Sequence, residues 1–187
     1  MCPIINCDTP AALEEIIQNV LCDRGGFFAA FWAKASDIDL ENSAFDEATN
    51  ILSGYAMQGG GTFVRVHMDR ETAQYVSTYS EDSGLYDSII TLLLKGKTAE
   101  QTRQITNAIA TCGLVLHTFN NDCTERVFGI EYDGLKLNLA VSPLKVNQHI
   151  DQGGNLTGEK SSDQVQLNSK HLCAAVHGTV GIDNMPV

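Results

Sequence analysis

The nearest approach to a catalytic signature in this chain is Gly96-Lys97-Thr98, set between an apolar run and a helix start, where a phosphate-binding loop would end. Such a loop needs a glycine five residues before the Gly-Lys pair, and Thr91 stands there, inside the apolar run. A tight turn followed by a helix cap is the better account. Five histidines, His67, His117, His149, His171 and His177, never fall at the i, i+4 spacing that sets two ligands on one helix face, and all but His177 lie on predicted strands. They read as strand or interface histidines. Asp37-x-Asp39-x-Glu41 begins like a calcium loop, but Asn42 stands where its glycine should be and Ala48 where its bidentate Glu should be, which leaves a solvated acidic loop. Gly59-Gly60-Gly61 has neither a Lys-Ser/Thr sequel nor a helix start and reads as a flexible or bulged entry to a strand. Asn155-Leu-Thr157 is a formal glycosylation acceptor, meaningful only in a secretory pathway. No Ser-His-Asp or Cys-His pairing has recognisable local context. The expectation is a protein that is not an enzyme, with no catalytic residues, no metal and no cofactor.

The elements that hold these residues are organised around the stretch from Asp87 to Tyr132. Asp87–Leu94 is a short, nearly continuous apolar run, which predicts a central strand buried on both faces. Thr98 with Gln101 fits a capping box, and Ile105, Ala108, Ile109 and Cys112 make one apolar stripe, so a helix is expected over about Thr98–Cys112 with Gly113 as its stop. Leu114–Phe119 and Thr124–Tyr132 predict a hairpin in whose return strand Arg126, Phe128, Ile130 and Tyr132 share a face. Leu92, Leu94, Ile105, Ile109, Phe128 and Ile130 are the expected core.

Upstream, a capped amphipathic pattern predicts an N-terminal helix over about Pro10–Cys22 within an arm of residues 1–25. Phe27–Ala33 reads as a strand, the acidic segment from Asp37 to Glu47 as a loop with one short strand after it, and Thr62–Met68 with Thr72–Tyr79 as a second hairpin. Downstream, Asp133-Gly134 is a turn, Pro143 marks an edge or bulge in an extended arm, and residues 151–162 form a long polar loop. The last strand, Gln164–Val176, changes parity near Asn168–Lys170 as a bulge would, and residues 178–187 are a tail. The sum is one domain of mainly β (α+β) class, an antiparallel β-sandwich or barrel-like sheet with a flanking helix.

Composition narrows the function classes. The 187 residues carry 12 basic and 23 acidic side chains, a net charge of −11, with no cluster of Lys and Arg to neutralise phosphates, so stable nucleic-acid binding is disfavoured. No apolar run approaches the ~20 residues of a membrane span, which argues for no membrane partner. The first residues lack a basic segment followed by a long apolar one, which argues against a secretory signal. Six cysteines without a Cys-x-x-Cys pair suggest reduced, mostly buried thiols in a reducing cytoplasm.

The order strand, capped helix, hairpin, extended arm, polar loop, final strand and short tail resembles phage major tail tube proteins. The residues that carry the likeness are Ile89–Leu94, the helix Thr98–Cys112, the hairpin Leu114–Tyr132 with Gly129-Ile-Glu-Tyr-Asp-Gly134, the loop Gly153–Ser162 and the closing strand. The resemblance implies a virion structural protein, assembled in the host cytoplasm, whose subunits form hexameric rings with a continuous inner β-barrel. Rings would stack into a tail tube, a negatively lined conduit through which DNA passes without specific binding during genome ejection. The partners implied are the chain itself, tail terminator, baseplate or tip, and tape-measure proteins. Gly153, Gly154, Asn155, Glu159 and Lys160 would make inter-ring contacts. The inner tube of a contractile injection or secretion machine shares this architecture. From another class, a monomeric β-sandwich that binds a ligand or decorates a capsid also fits the pattern.

Overall fold

The computed structural model describes residues 26–68, 73–95, 98–152, 162–172 and 176–187. The predicted helix over Pro10–Cys22 and the loop residues Gly153, Gly154, Asn155, Glu159 and Lys160 lie outside them. In chain order the strands are β1 (Phe27–Lys34), β2 (Ile38–Asp46), β3 (Ile51–Met57), β4 (Val64–Val66), β5 (Gln74–Ser80) and β6 (Leu85–Lys95). One helix follows, α1 (Ala99–Ile109), and then β7 (Leu114–Asn120), β8 (Glu125–Phe128), β9 (Ile130–Tyr132), β10 (Leu137–Leu139), β11 (Ser142–Gln152), β12 (Ser162–His171) and β13 (Val176–Gly178). The protein is mainly β, with α1 packed beside the sheets.

β7 is where the sheet divides. On one side lies a seven-stranded array, β4-β1-β7-β8-β13-β3-β2, antiparallel except for the parallel β13–β3 pair. On the other lies a four-stranded antiparallel sheet, β11-β12-β6-β5, joined to the first through Leu144 opposite Leu114. Between the two arrays Leu92, Leu94, Val165 and Leu167 meet Trp32, Leu116 and Phe128, with Ile105 and Ala108 of α1 closing the end. A second core covers the far face of the seven-stranded array and holds Phe31, Leu52, Val115, Val127, Ile130 and Val176. Because cores lie on both faces, all seven residues of β7 are buried.

Local chemistry sets α1. The Thr98 side chain accepts the Gln101 backbone N–H at 3.1 Å, so Thr98 is the N-cap. The reciprocal half of the box is different: the Gln101 amide donates to the Leu94 carbonyl at 3.5 Å and ties the helix to β6. Thr98→Ala is expected to cost about 1 kcal/mol, read as a lower urea midpoint with an unchanged slope. No loss of stability would mean that the tie to β6 or solvent supplies the cap.

Several sequence expectations are corrected. The helix ends at Ile109, which is 49% exposed and outside the core, and Cys112 lies beyond the helical period and is exposed. β7 and most of β1, rather than β6, are buried on both faces; along β6, Ile90 and Leu92 are buried while Ile89 is 40% exposed. The return strand breaks at Gly129, whose φ of +92° reverses the alternation. Phe128 therefore enters the first core, whereas Ile130 joins Val127 in the second.

The acidic segment is a strand, because Leu40 and Phe45 of β2 find apolar cover on the second core. The second predicted hairpin does not form: β4 pairs with β1, and β5 with β6. β12 keeps an unbroken ladder with β6 from Ser162 to His171, and the irregularity at Asn168–Lys170 lies instead in the ladder with β11, between Ser142 and Lys145. Residues 178–187 are not a loose tail, since Val180 and Met185 are buried and the Pro186 carbonyl accepts the Phe63 N–H at 2.7 Å. Cys123 is disulfide-bonded, against the expectation of reduced thiols, because sulfur pairing follows proximity in the fold rather than cysteine spacing.

Candidate assembly interface

Two features have the geometry of a site: a chain of buried polar groups and an open sheet. In the first, the Tyr55 hydroxyl lies 2.8 Å from His117 Nδ1, and His117 Nε2 lies 3.0 Å from Glu125 Oε2. Glu125 also accepts the Val180 N–H at 2.9 Å and the Gly181 N–H at 3.1 Å. A carboxylate can only accept, so Nε2 carries hydrogen toward Glu125, and Nδ1 is left as the partner of the Tyr55 hydroxyl. Burial raises the Glu125 carboxyl, but the His117 hydrogen bond and charge, with the Gly181 and Val180 N–H groups, outweigh it and hold the group below its usual value. Burial and then the Glu125 charge push the Tyr55 phenol well above its usual value.

That direction argues against a nucleophile. A phenol harder to ionise than in water, placed outside both surface grooves, is poorly suited to attack a substrate. What the chain does is mechanical: it clamps residues 180–181 onto β8. His149, 3.0 Å from the buried Asp163, similarly joins β11 to β12. His177 accepts from Arg126 at 2.9 Å across β13 and β8. Four of the five histidines thus sit on strands, His67 being the exception just past β4, and His177 is on β13 rather than in a loop. Among the described residues no group of three or more His, Cys, Asp or Glu side chains could hold a metal ion, and no helix is long and apolar enough to cross a membrane.

His171 gives a pH dependence with a defined sign. Its ring is fully buried, Nε2 meets Ser169 Oγ at 2.9 Å, and burial drives its pKa from 6.5 down to about 4. The unfolded chain then takes up a proton near pH 6.5 that the folded chain refuses until about pH 4, so stability falls as pH drops through that window. The loss is roughly 3 kcal/mol, with the depressed Glu125 adding its share at the acid end. Urea midpoints between pH 7 and pH 4 should show this slope, and His171→Phe should flatten it. An equal slope in that variant would assign the proton to another group.

The open sheet is the second feature. Among the described residues β5 pairs with β6 alone, and β11 beyond Leu144 pairs with β12 alone. The rims of the molecule are treated differently. β2 carries Asp39, Glu41 and Asp46 and its ladder with β3 is interrupted around Ala44, which are devices that block pairing by a foreign strand. β5 has neither: its seven residues, Gln-Tyr-Val-Ser-Thr-Tyr-Ser, include no charge and no proline, and its ladder with β6 is unbroken. Val76 is 57% and Tyr79 49% exposed on it.

No family model, curated protein or solved structure matches this chain.

The four-stranded sheet is backed on its inner side by the first core, and its outer side is mostly polar, with Val76 and Ile89 as exposed apolar exceptions. Across the strands Val76, Ile89, Asn168 and Lys145 form one row, and Gln74, Thr91, Gln166 and Gln148 another. A third row brings Thr78, Asp87, Lys170 and Ser142 together. With Asp87 set against Lys145 and Lys170, these rows do not carry the chain's negative charge. Sequence reasoning found β5 and β6 but not their rim, because a strand's pattern of side chains does not say which neighbours it lacks.

Proposed function

We propose that the chain is a self-assembling structural protein whose four-stranded sheet joins edge to edge with other copies, as the subunit of a phage tail tube. The observation that carries this reading is the β5 rim, long, regular and uncharged, at the end of a sheet whose opposite rim, β11, is also without a further strand beyond Leu144 among the described residues. An edge of that kind is a template for another strand, and a monomer that had to stay a monomer would need it blunted. Pairing β5 of one copy with β11 of the next extends the sheet in one direction, and a heterologous contact of this type closes into a ring when its rotation allows.

On this reading the outer rows of the sheet line the bore. These rows would line it with amides, hydroxyls and the apolar Val76 and Ile89 around Asp87, Lys145 and Lys170, rather than with negative charge. DNA would pass because few cations are there to hold its phosphates, not because a negative wall repels them. Four acidic side chains, Asp39, Glu41, Asp46 and Glu47, cluster at the far rim, on β2 and the turn after it.

The test is negative-stain microscopy of the purified protein with light scattering over a concentration series. Rings with a central hole or tubes of constant bore are expected, with scattering that rises with concentration. A uniform monomer at every concentration, unchanged when tail initiation proteins are added, would overturn the proposal and favour the capsid-decoration or ligand-binding class.

A further inference from the structure

We propose a second head-to-tail contact, in which the β4 rim of the seven-stranded array receives the acidic β2 rim of a second copy. This rests on self-assembly of the chain but concerns a different sheet from the one that closes the bore.

β4 and β2 are the two ends of one array. At the β4 end, Lys34, Arg65 and His67 are exposed, and none has an ion-pair partner among the described residues. Arg65 is held in place by the Phe31 ring, 5.9 Å from its guanidinium carbon. A groove of about 400 Å³ runs beside this rim, bounded by Val64 of β4, the floor residue Trp32, and Arg103 and Gln104 of α1. An adjoining one of about 320 Å³ continues past Arg65 and His67. The acids on these walls are Asp37 and Glu100, and Glu100 is already neutralised by Arg103 at 2.6 Å.

At the β2 end, Glu41, Asp46 and Glu47 are exposed and Asp39 is half-buried. Asp39 and Asp46 are held by local bonds to Asn42 and Thr49, while Glu41 and Glu47 lack ion-pair partners among the described residues. On a chain of net charge −11, a cationic rim is the exception, and its opposite number lies at the far end of the same array. A two-fold dimer through either rim would set like charges together. A head-to-tail contact pairs opposite ones. The interruption in the β2 ladder opposes continuous strand pairing, so the contact is one of side-chain charge and groove filling.

The test uses two double variants of the full chain, Lys34→Glu with Arg65→Glu, and Glu41→Lys with Glu47→Lys, followed by sedimentation velocity at about 20 and about 500 mM NaCl. The first variant has two acidic rims; the second keeps its cationic β4 rim and has a β2 rim brought to neutrality, two lysines against Asp39 and Asp46. Each alone is expected to self-associate at least about tenfold more weakly than the unaltered chain at low salt. An equimolar mixture should recover association by alternating the two, which also shows that both variants are folded. High salt should weaken association of the unaltered chain.

Association of the unaltered chain that ignores salt and survives in each variant would overturn this contact and leave the tube reading standing. Salt-dependent chains that show no ring or bore by microscopy would uphold the contact and count against the tube. A mixture no better than its components, or an unaltered chain that stays monomeric at low salt, would overturn the contact.

Discussion

Val76→Lys combined with Thr78→Lys is expected to abolish rings while leaving the monomer folded. Both positions are exposed on β5, alternate residues of a rim that among the described residues pairs only with β6, so neither lysine meets the core. Surface changes of this kind stay within about 0.5 kcal/mol of the parent in stability. Placed on an edge strand, however, two lysines must be desolvated by any strand that pairs there, which is how natural edges are kept single. Because every ring contact repeats the loss, a modest cost per interface removes the whole assembly. The measurement is scattering and microscopy beside a urea curve for the monomer. Rings in normal yield from this variant would remove β5 from the interface and return the proposal to its starting point.

Gly129→Ala is expected to cost about 3 kcal/mol or more, enough to leave little folded protein. Gly129 has φ +92°, and a Cβ there would sit 2.3 Å from the Leu114 carbonyl oxygen and 3.1 Å from Leu144 Cβ. The clash falls on backbone at the point where β7, β8 and β11 converge, so neither wall can move without breaking the Leu114–Leu144 junction between the sheets. Gly59→Ala is the control. It has a positive φ of 64° but nothing within 4 Å, so about 1 kcal/mol is expected from backbone strain alone. Equal urea midpoints for the two alanine variants would mean that the backbone relaxes at Gly129, and the divided sheet would then not depend on this glycine.

Much of the local structure was written in short-range patterns. Thr98, the stripe through Ile105 and Ala108, and the alternation in β12 each depend on spacing within one element, and there chemistry acts through neighbours in sequence. Misreadings arose where a residue answers to a distant partner. Ile109 fits the helical stripe but lies on the last turn, beyond the reach of the core, and a period does not reveal where packing stops. Phe128 and Ile130 are two apart, as residues on one strand face should be, yet Gly129 sends them to different cores. The acidic β2 looked like a loop because its cover comes from residues such as Tyr132, 4.9 Å from the Phe45 ring.

The functional features divide in the same way. Composition and spacing settled that the Gly96-Lys97-Thr98 turn lacks a phosphate loop's glycine, that Asp37–Glu41 lacks the ligands of a calcium loop, and that the chain is mainly β. Each of these is a statement about residue identity at a fixed offset, and no folding can change it. Tertiary structure alone decided that Tyr55, His117 and Glu125 form one hydrogen-bonded chain across 70 residues of sequence. It also decided that among the described residues β5 pairs only with β6, and that the cationic and acidic rims are the first and last strands of one array. Pairing and exposure are properties of which strands lie side by side, and that order is set by the long-range burial of two cores, not by any segment read alone.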